Sequence, residues 1–327
     1  MPIYSARVLT GAALAGLLLW SPPAWPWGCQ GHQTIADIAQ AHLKPAALAK
    51  VKAILKGPHI DPKLKRFCSP TGLDPIADVS TWADDVRGVR STTADWHFLD
   101  IPRGDSGADV AKFCPADGCV TTAIADQVKV LKSLHPTATA KAEALMFVIH
   151  LVGDLHQPLH CITNNDRGAN CVPVDYFGQH AHLQSDATHP AKNEGYSPNL
   201  HAVWDSDIIK HAMKAQSAKT YATQLDHHFQ SQEATWESAG IDLEQWARDS
   251  HKLAADTAYG KLPTSAPVEA PQPPIKHCNE DNHVSKRMLA LHEALGQNYQ
   301  DAAQPVIEEQ LAKAGTRLAM VLNDVWP

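Results

Sequence analysis

The sequence predicts an all-α fold, a single mainly helical domain over residues 27–327. Apolar residues recur at helical spacing along most of the chain, and strand-like alternation is almost absent. The composition, 44% apolar and 19% charged, allows a large packed core. The net charge is −7 and no basic run occurs, which argues against a protein that coats DNA electrostatically.

Each helix follows from its apolar pattern. Thr34–Leu55 is amphipathic and interrupted at Pro45, and Ala138–Leu155 is apolar on nearly all faces, which indicates a core helix. Five prolines predict a surface loop over Pro263–Pro274, and Asp95–Ile101 is a candidate for a short extended segment. Further helices are predicted at Ala123–Leu134, Leu200–Ala215, Ser217–Gln230, Ile241–Leu262, Val284–Gln297 and Gln304–Val325.

Residues 1–26 have the features of a cleaved secretory signal peptide. Arg7 carries a positive charge, Val8–Trp20 is apolar but too short to cross a bilayer, and Ser21–Pro26 is a turn-prone exit. An uncleaved membrane anchor is the alternative. Proline at position 26 is unusual because signal peptidases prefer a small residue there, so the position of the cut is left open. No later run of about 20 apolar residues exists, so we expect a secreted or periplasmic chain without membrane association.

The seven cysteines fit an oxidising compartment. Cys114 and Cys119 flank a short turn, and Cys161 and Cys171 bracket a polar loop, so we predict these two local disulfides. At most two of the other three can pair, and the sequence leaves the choice open among Cys29, Cys68 and Cys278. A zinc finger is disfavoured because no Cys-x-x-Cys pair occurs.

The chain has 19 histidines, which is an unusually high number. Metal binding is the first chemical explanation to consider for this excess. His150 and Asp154 are four residues apart on the predicted core helix, so they project from one face. His201 and Asp205 repeat this spacing, and His160 follows the first pair closely. A buried His–Asp hydrogen bond is the alternative for either pair. Two pairs together with His160 favour a metal site, because clustered nitrogen and oxygen ligands suit zinc.

Three other segments place histidine or carboxylate side chains beside aromatic residues. They are Trp27–His32, Thr81–Arg87 and Trp96–Asp100. Each alone is weak evidence, since a single histidine beside aromatic residues is more often part of a core.

In chain order, these segments resemble the zinc-dependent S1/P1 nuclease family, whose fold is similar to that of bacterial zinc phospholipase C. The matching motifs are W-G-x-x-G-H, W-A-D, W-H-F-x-D, H-x3-D-x-H-Q-P-L-H and N-L-H-x3-D. The resemblance runs from Trp27 to the closing helix, where Ala314–Ala319 also resembles the family. The implied fold is therefore the mainly helical phospholipase C/P1 nuclease type.

The resemblance implies three zinc ions in one cleft. The implied ligands are Asp84, His97, His150 and Asp154 for the deepest ion, Trp27 (α-amino group and carbonyl), His32 and Asp154 for its neighbour, and His160, His201 and Asp205 for the third. Because an amide nitrogen is a poor ligand, removal of the signal peptide would complete the second set. His156 is not among the implied ligands.

The implied reaction is hydrolysis of single-stranded DNA and RNA to 5′-phosphorylated products, with 3′-nucleotidase activity. Zinc acidifies bound water, so we expect water held at the paired ions under Asp154 to attack phosphorus in line, with the third ion stabilising the departing 3′ oxygen. Arg87 would hold a non-bridging phosphate oxygen, the alternative being an ion pair with Asp85. Asp84 would also orient the attacking water. No obligate protein partner is expected.

Phe98 and Asp100 match the base pocket of the family. Phe98 would stack on a base and Asp100 would accept hydrogen bonds from a base edge, while Gly168 and Asn170 resemble the Gly-x-Asn element of that pocket. Stacking requires an unpaired base, which explains a preference for single strands. Ordinary core packing is the alternative for Phe98.

One departure from the family pattern and two rival functions remain open. The stretch between His160 and His201 is longer than is usual in the family and contains His180, His182 and His189. A zinc-dependent phospholipase C is disfavoured, because that relative carries glutamate where Asp205 stands. A non-enzymatic zinc-sequestering protein would have many weak, exposed sites instead of one cleft.

Overall fold

A computed structural model describes residues 27–57, 61, 64, 66–70, 72, 74–183, 196–275, 278 and 293–327. The predicted signal peptide and His189 lie outside the described residues, as does most of the helix predicted over Val284–Gln297. The described chain is mostly helical and folds as one domain, which confirms the predicted fold class. Within these ranges, no helix has the length and apolarity needed to cross a bilayer.

The helices agree closely with the apolar pattern where that pattern is long. The α-helices are α1 Cys29–His42, α2 Pro45–Leu55, α3 Pro75–Val79, α4 Trp82–Arg87, α5 Val120–Lys132, α6 Ala138–Leu155, α7 Leu200–Ala202, α8 Ile208–Met213, α9 Ala218–Ser238, α10 Leu243–Leu253 and α11 Gln297–Val325. Short 3-10 helices cover Ser91–His97, Val110–Phe113 and Pro158–Cys161. A π-helical segment at Val203–Asp207 joins α7 to α8, and a second at Ala254–Tyr259 continues α10.

The central element is α6, which is buried on all faces in its second half, from Leu145 to Leu155. The Thr137 side chain accepts a hydrogen bond from the Ala140 N–H and so caps its start. α5 and α11 pack against α6, and α11 also packs against α1 and α9. At Gly315 in α11, an added Cβ would lie 2.5 Å from Ile38 in α1, so a glycine is required for this close approach.

Two small sheets accompany the helices. Strand β1 (Val174–Tyr176) pairs in parallel with β4 (Glu293–Leu295), and β2 (His182–Leu183) pairs antiparallel with β3 (Tyr196–Ser197). The described end of the helix predicted over Val284–Gln297 is therefore a strand, because its backbone pairs with β1 across more than 100 residues of sequence.

The segment Asp95–Ile101 is extended only in its second half. Ser91–His97 forms a 3-10 helix, and the backbone becomes extended at Phe98. Because alternate residues of an extended segment face opposite sides, the side chains from Phe98 onward alternate between the core and the surface. Leu99 and Ile101 are fully buried, whereas Phe98 and Asp100 are partly exposed.

Three disulfides link six of the seven cysteines, all of which the structure describes. Cys114–Cys119 was predicted, but the predicted Cys161–Cys171 bond is wrong, because Cys171 pairs with Cys278 across 107 residues. Cys161 ends a 3-10 helix, is buried and free, and its thiol faces the Leu155 carbonyl at 3.6 Å. Pairing depends on the spatial distance between Cα atoms rather than on sequence distance. The remaining disulfide is Cys29–Cys68, which joins α1 to the segment before α3.

Candidate metal centre

Four buried side chains from three segments meet beside α6. Asp84 comes from α4, His97 from the end of the Ser91–His97 helix, and His150 and Asp154 from adjacent turns of α6. Oδ2 of Asp154 lies 2.9 Å from His97 Nδ1 and 3.1 Å from His150 Nε2. Oδ1 of Asp84 lies 3.6 and 3.7 Å from the same two nitrogens. These spacings suit donor atoms arranged around one ion.

A second cluster shares Asp154. His32 on α1 places Nε2 3.4 Å from Oδ1 of Asp154, and its ring stacks on His150 with centroids 4.0 Å apart. Gly153 makes room for this ring, since a Cβ there would lie 3.0 Å from His32 Nδ1. The buried Trp27 indole donates to the Gly153 carbonyl at 2.8 Å, which holds the start of the described chain beside α6.

A third cluster adjoins the other two. His160 and His201 stack with their Nε2 atoms 3.2 Å apart, and Oδ2 of Asp205 lies 3.3 Å from His201 Nε2. Gln157 donates to Oδ1 of Asp205 and so orients this carboxylate. The His160 ring also lies 3.9 Å from Oδ1 of Asp154. The three clusters, which we call the buried centre, therefore occupy one region around Asp154.

Backbone carbonyls orient three of the histidines. In each, the Nδ1–H faces a carbonyl oxygen, so Nε2 keeps its lone pair for the centre, as is usual for metal-binding histidines. The pairs are His150 with Ser80 at 2.8 Å, His160 with His97 at 2.8 Å and His201 with Gly168 at 2.5 Å.

The donor atoms of the buried centre fit divalent cations. In three trios of side chains, the ligand atoms lie within 4.8 Å of one another: Asp84, His97 and His150; His32, His150 and Asp154; and His160, His201 and Asp205. Seven buried atoms of the centre have no hydrogen-bond partner: Nδ1 and Nε2 of His32, both oxygens of Asp84, Nε2 of His97, Oδ1 of Asp154 and Oδ2 of Asp205. An unsatisfied buried polar group costs about 1–3 kcal/mol, and more when charged, so bound cations would remove a large penalty.

The pKa values of the histidines suit ligation. Burial lowers the pKa of His32 to about 4, of His97 to about 3 and of His201 to about 4. Burial also lowers the pKa of His160 well below its ordinary value. These imidazoles are therefore neutral lone-pair donors at neutral pH.

The carboxylates and His150 titrate as a coupled group. Burial raises the pKa of Asp84 to about 7 and that of Asp205 well above its ordinary value. Burial alone would lower the pKa of His150, but Asp154 and Asp84 together raise it to about 9. The same imidazole holds the pKa of Asp154 well below its ordinary value, against the effect of burial.

Arg87 ends α4 and is partly exposed beside the buried centre. Burial raises the pKa values of Asp84 and Asp205, and the positive charge of Arg87 opposes this rise at both carboxyl groups. Asp85, its alternative partner, lies 2.6 Å from Arg66 Nε and accepts from the Phe67 N–H at 2.7 Å.

Phe98 and Asp100 share the partly exposed side of the extended segment. Phe98 does not belong to the apolar core of the described chain. Burial and the neighbouring carboxylates of Asp166 and Asp95 raise the pKa of Asp100 to about 7, and Arg167 opposes this rise. An aromatic face and a carboxyl group therefore lie side by side next to His97.

Gly168 contacts the third cluster, which its sequence pattern did not indicate. Its carbonyl accepts the Nδ1–H of His201. The side chain of Asn170 is partly exposed and donates to the Arg167 carbonyl at 2.8 Å, within its own loop.

Other histidines lie apart from the buried centre. His156 is buried, donates Nδ1–H to the Val152 carbonyl and accepts from Arg317 on α11 at 2.9 Å. His180 pairs with Asp175 at 2.6 Å, and among the described residues no metal-type cluster contains His180 or His182.

One further histidine–carboxylate group, which we call the surface triad, consists of His42, Asp226 and Glu233. His42 ends α1, and both carboxylates lie on α9. His42 Nε2 lies 2.5 Å from Asp226 Oδ1 and 3.8 Å from Glu233 Oε1.

Comparison with known proteins supplies independent information. A family model described as S1/P1 Nuclease matches residues 27–327. The chain is 27% identical over 329 residues to Nuclease S1 of Aspergillus oryzae, covering 94% of this chain and 95% of that protein. It is 27% identical over 319 residues to Endonuclease 3 of Arabidopsis thaliana, covering 92% and 89%. It is 25% identical over 321 residues to Nuclease P1 of Penicillium citrinum, covering 91% and 97%.

Proposed function

The chain belongs to the S1/P1 nuclease family and is an endonuclease, and we propose that it uses three zinc ions to hydrolyse single-stranded DNA and RNA. The products are 5′-phosphorylated, and 3′-nucleotides are also substrates. Residues 27–327 form the nuclease domain, and residues 1–26 are a signal peptide that is removed on export. The three disulfides support a secreted or periplasmic location.

One observation carries this proposal. Asp154 directs Oδ2 toward His97 and His150 and Oδ1 toward His32, so one carboxylate faces two clusters with different oxygens. A shared carboxylate of this kind suits a pair of neighbouring ions, the arrangement that many phosphodiesterases use.

Three sets of residues would hold the ions. Asp84, His97, His150 and Asp154 form the first set, His32, Asp154 and the cleaved amino end of Trp27 the second, and His160, His201 and Asp205 the third. When bound, zinc lowers the pKa of a coordinated water toward neutrality and polarises a phosphoryl oxygen.

The other side chains position the substrate. Arg87 binds a non-bridging phosphate oxygen, because a guanidinium presents paired N–H donors beside the buried centre. Asp84 accepts a hydrogen bond from the attacking water, since its oxygens have no other hydrogen-bond partner. Asp154 remains ionised because the surrounding imidazoles hold its pKa low. These roles orient the water and the phosphate. An ion held by His160, His201 and Asp205 would stabilise the departing 3′ oxygen, so no strong general acid is required.

Phe98 and Asp100 recognise the base. The partly exposed ring of Phe98 offers a stacking face, and Asp100 offers a carboxyl group to a base edge. Stacking needs a base with a free face, so single strands are preferred to duplexes. Gly168 and Asn170 would complete this pocket from the neighbouring loop.

The test is a substrate comparison on the exported, zinc-loaded protein. We expect an intact mass that begins at Trp27, three tightly bound zinc ions, and cleavage of single-stranded DNA and RNA to 5′-phosphate ends. Duplex DNA should be cleaved much more slowly, and phosphatidylcholine should be unchanged. Lipid cleavage without DNA cleavage would reverse the assignment in favour of a phospholipase C. A variable zinc load that gentle dialysis removes, with no cleavage, would favour a sequestering protein.

A further inference from the structure

Loop 164–169, which faces His201, has an unusual backbone conformation. Four of its residues have left-handed φ angles: Asn165 at 61°, Arg167 at 59°, Gly168 at 58° and Ala169 at 68°. Three of these four are not glycine, and L-residues disfavour this conformation because Cβ crowds the backbone. Such a loop persists only when its surroundings hold it, so its anchors are informative.

The left-handed backbone of this loop directs the Gly168 carbonyl toward His201. The Gly168 carbonyl accepts the Nδ1–H of His201 at 2.5 Å, which leaves Nε2 of His201 free to face His160 and Asp205. The loop backbone passes close to Leu159, since a Cβ at Gly168 would lie 2.6 Å from the Leu159 carbonyl oxygen.

Asp166 anchors the loop from inside. Its carboxylate is fully buried and accepts the backbone N–H of Ala169 at 3.0 Å and of Asn164 at 3.2 Å. The buried hydroxyl of Tyr259 donates to the same carboxylate at 2.8 Å. Arg103 lies over the Tyr259 ring at 4.8 Å from its centroid, which fixes the ring in turn. One buried carboxylate therefore connects both ends of the loop to the π-helical segment after α10.

The proline-rich segment secures the loop from outside. Asn164 donates to the Pro267 carbonyl at 2.9 Å and accepts the Glu269 N–H at 3.0 Å. Asn165 makes the matching pair with the Ala270 carbonyl and the Gln272 N–H, at 2.8 and 3.0 Å. These are backbone groups of a segment without regular structure, so the two asparagines hold it directly against the loop.

We propose that Asp166 is a positioning residue for the third metal site, holding loop 164–169 so that the Gly168 carbonyl orients His201. This inference rests on the proposed function, because it assumes that His201 binds zinc. Tyr259 and the asparagine pairs support Asp166. Two of the three donors to Asp166, the N–H groups of Asn164 and Ala169, lie at the two ends of the loop, and the third is the distant Tyr259 hydroxyl. Removing this carboxylate therefore leaves the loop without its internal anchor.

The test is a stepwise zinc titration of the metal-free protein. The wild type should show three binding events, and His201→Ala should identify the third by removing it. Asp166→Ala should weaken that event by about 10- to 100-fold, the usual effect of losing a group that orients a metal ligand, and leave the other two unchanged. Asp166→Asn should restore part of the affinity, since its remaining oxygen can still accept the two backbone N–H groups.

The controls separate positioning from general loosening. Asp175→Ala is matched, because Asp175 also accepts a backbone N–H, from Ala181 at 2.9 Å, but lies on β1. It should leave all three events unchanged. An equal loss at the third event in this control, or wild-type affinity in Asp166→Ala, would overturn the inference.

A second variant covers the case in which Asp166→Ala does not fold. Tyr259→Phe removes one hydroxyl and keeps the buried ring, so it should weaken the third event several-fold. Wild-type affinity in Tyr259→Phe would then overturn the inference. Absence of tight zinc binding in the wild type would defeat the proposed function itself, which distinguishes the two failures.

Discussion

The buried centre and the surface triad both consist of histidine and carboxylate side chains, but they differ in burial and in how their polar atoms are paired. Side chains of the buried centre are at most 9% exposed, whereas those of His42, Asp226 and Glu233 are 22, 30 and 16% exposed. In the surface triad, one proton between His42 Nε2 and Asp226 Oδ1 satisfies both atoms at their 2.5 Å separation. In the buried centre, a single oxygen of Asp154 faces two imidazole nitrogens, and seven further atoms lack a partner.

The difference indicates what makes a histidine–carboxylate group a metal site. Backbone carbonyls fix Nδ1 of His150, His160 and His201, so their Nε2 atoms converge on the carboxylates before any ion arrives. Because these polar groups are buried, leaving them without a bound ion costs free energy. The surface triad lacks this burial, so water and a proton satisfy it without a metal. Metal dependence should therefore belong to the buried centre alone.

The largest effect is expected from Asp154→Ala. This change removes a ligand from two of the proposed sets, so activity on single-stranded DNA should fall by at least about 1,000-fold. Zinc content should drop by two ions, and the melting temperature should fall sharply, because metal binding contributes directly to folding stability. Cleavage assays, metal analysis and thermal unfolding measure the three effects.

Asp85→Asn is a useful control for the Asp154 variant. Asp85 is also a buried aspartate near the centre, but it binds Arg66 and the Phe67 N–H. Its loss should lower stability while retaining zinc. Wild-type turnover in Asp154→Ala would contradict the shared-ligand role.

Zinc affinity should depend steeply on pH. The pKa of His150 is raised to about 9 and that of Asp84 to about 7, so the metal-free centre carries at least one proton at pH 7. Zinc must displace these protons, so affinity for the first set should increase by about tenfold per pH unit between pH 7 and 9. Acidification below pH 7 should weaken binding further, because Asp84 then gains its proton fully.

Calorimetric titration in two buffers of different ionisation enthalpy measures the protons released. We expect release of about one to two protons per ion at the first set at pH 7. A pH-independent affinity, or uptake of protons on loading, would show that His150 and Asp84 are not ligands. The surface triad provides an internal reference, since His42→Asn should leave the proton count unchanged.

A smaller effect is expected from Phe98→Ala. Loss of a stacking face costs about 1–3 kcal/mol per base, so KM for single-stranded DNA should increase by about 5- to 150-fold. Zinc content should be unchanged, because Phe98 lies outside the metal sets and outside the apolar core. Phe98→Tyr keeps the aromatic face and should retain most of the affinity. Loss of zinc in Phe98→Ala would mean that the ring supports the centre structurally.

The sequence predicted the parts of the molecule that depend on local pattern. The apolar run over Ala138–Leu155 predicted α6 with its observed bounds, and the four-residue spacing placed His150 and Asp154 on one face. The short helices α3 and α4 were not predicted, because five or six residues are too few to show a helical period.

Features that depend on distant pairing could not be predicted. The Cys171–Cys278 disulfide and the β1–β4 pair each join segments more than 100 residues apart, and the local alternative for Cys171 was wrong. The role of Gly168 was also hidden, since its contribution is a backbone carbonyl that any residue type carries. Sequence motifs record side chains, so the groups that orient the ligands became visible only in the structure.

The smallest effect is expected from His42→Asn in the surface triad. A partly exposed ion pair contributes about 0–1 kcal/mol, so the free energy of unfolding should decrease by no more than about 1 kcal/mol. Zinc stoichiometry and cleavage rates should equal those of the wild type, since one proton already satisfies His42 and Asp226. Metal analysis after dialysis and urea unfolding measure both quantities. Loss of a bound ion from this variant would mean that convergence of a histidine and two carboxylates suffices for metal binding, and that burial and carbonyl-fixed imidazoles do not distinguish the buried centre.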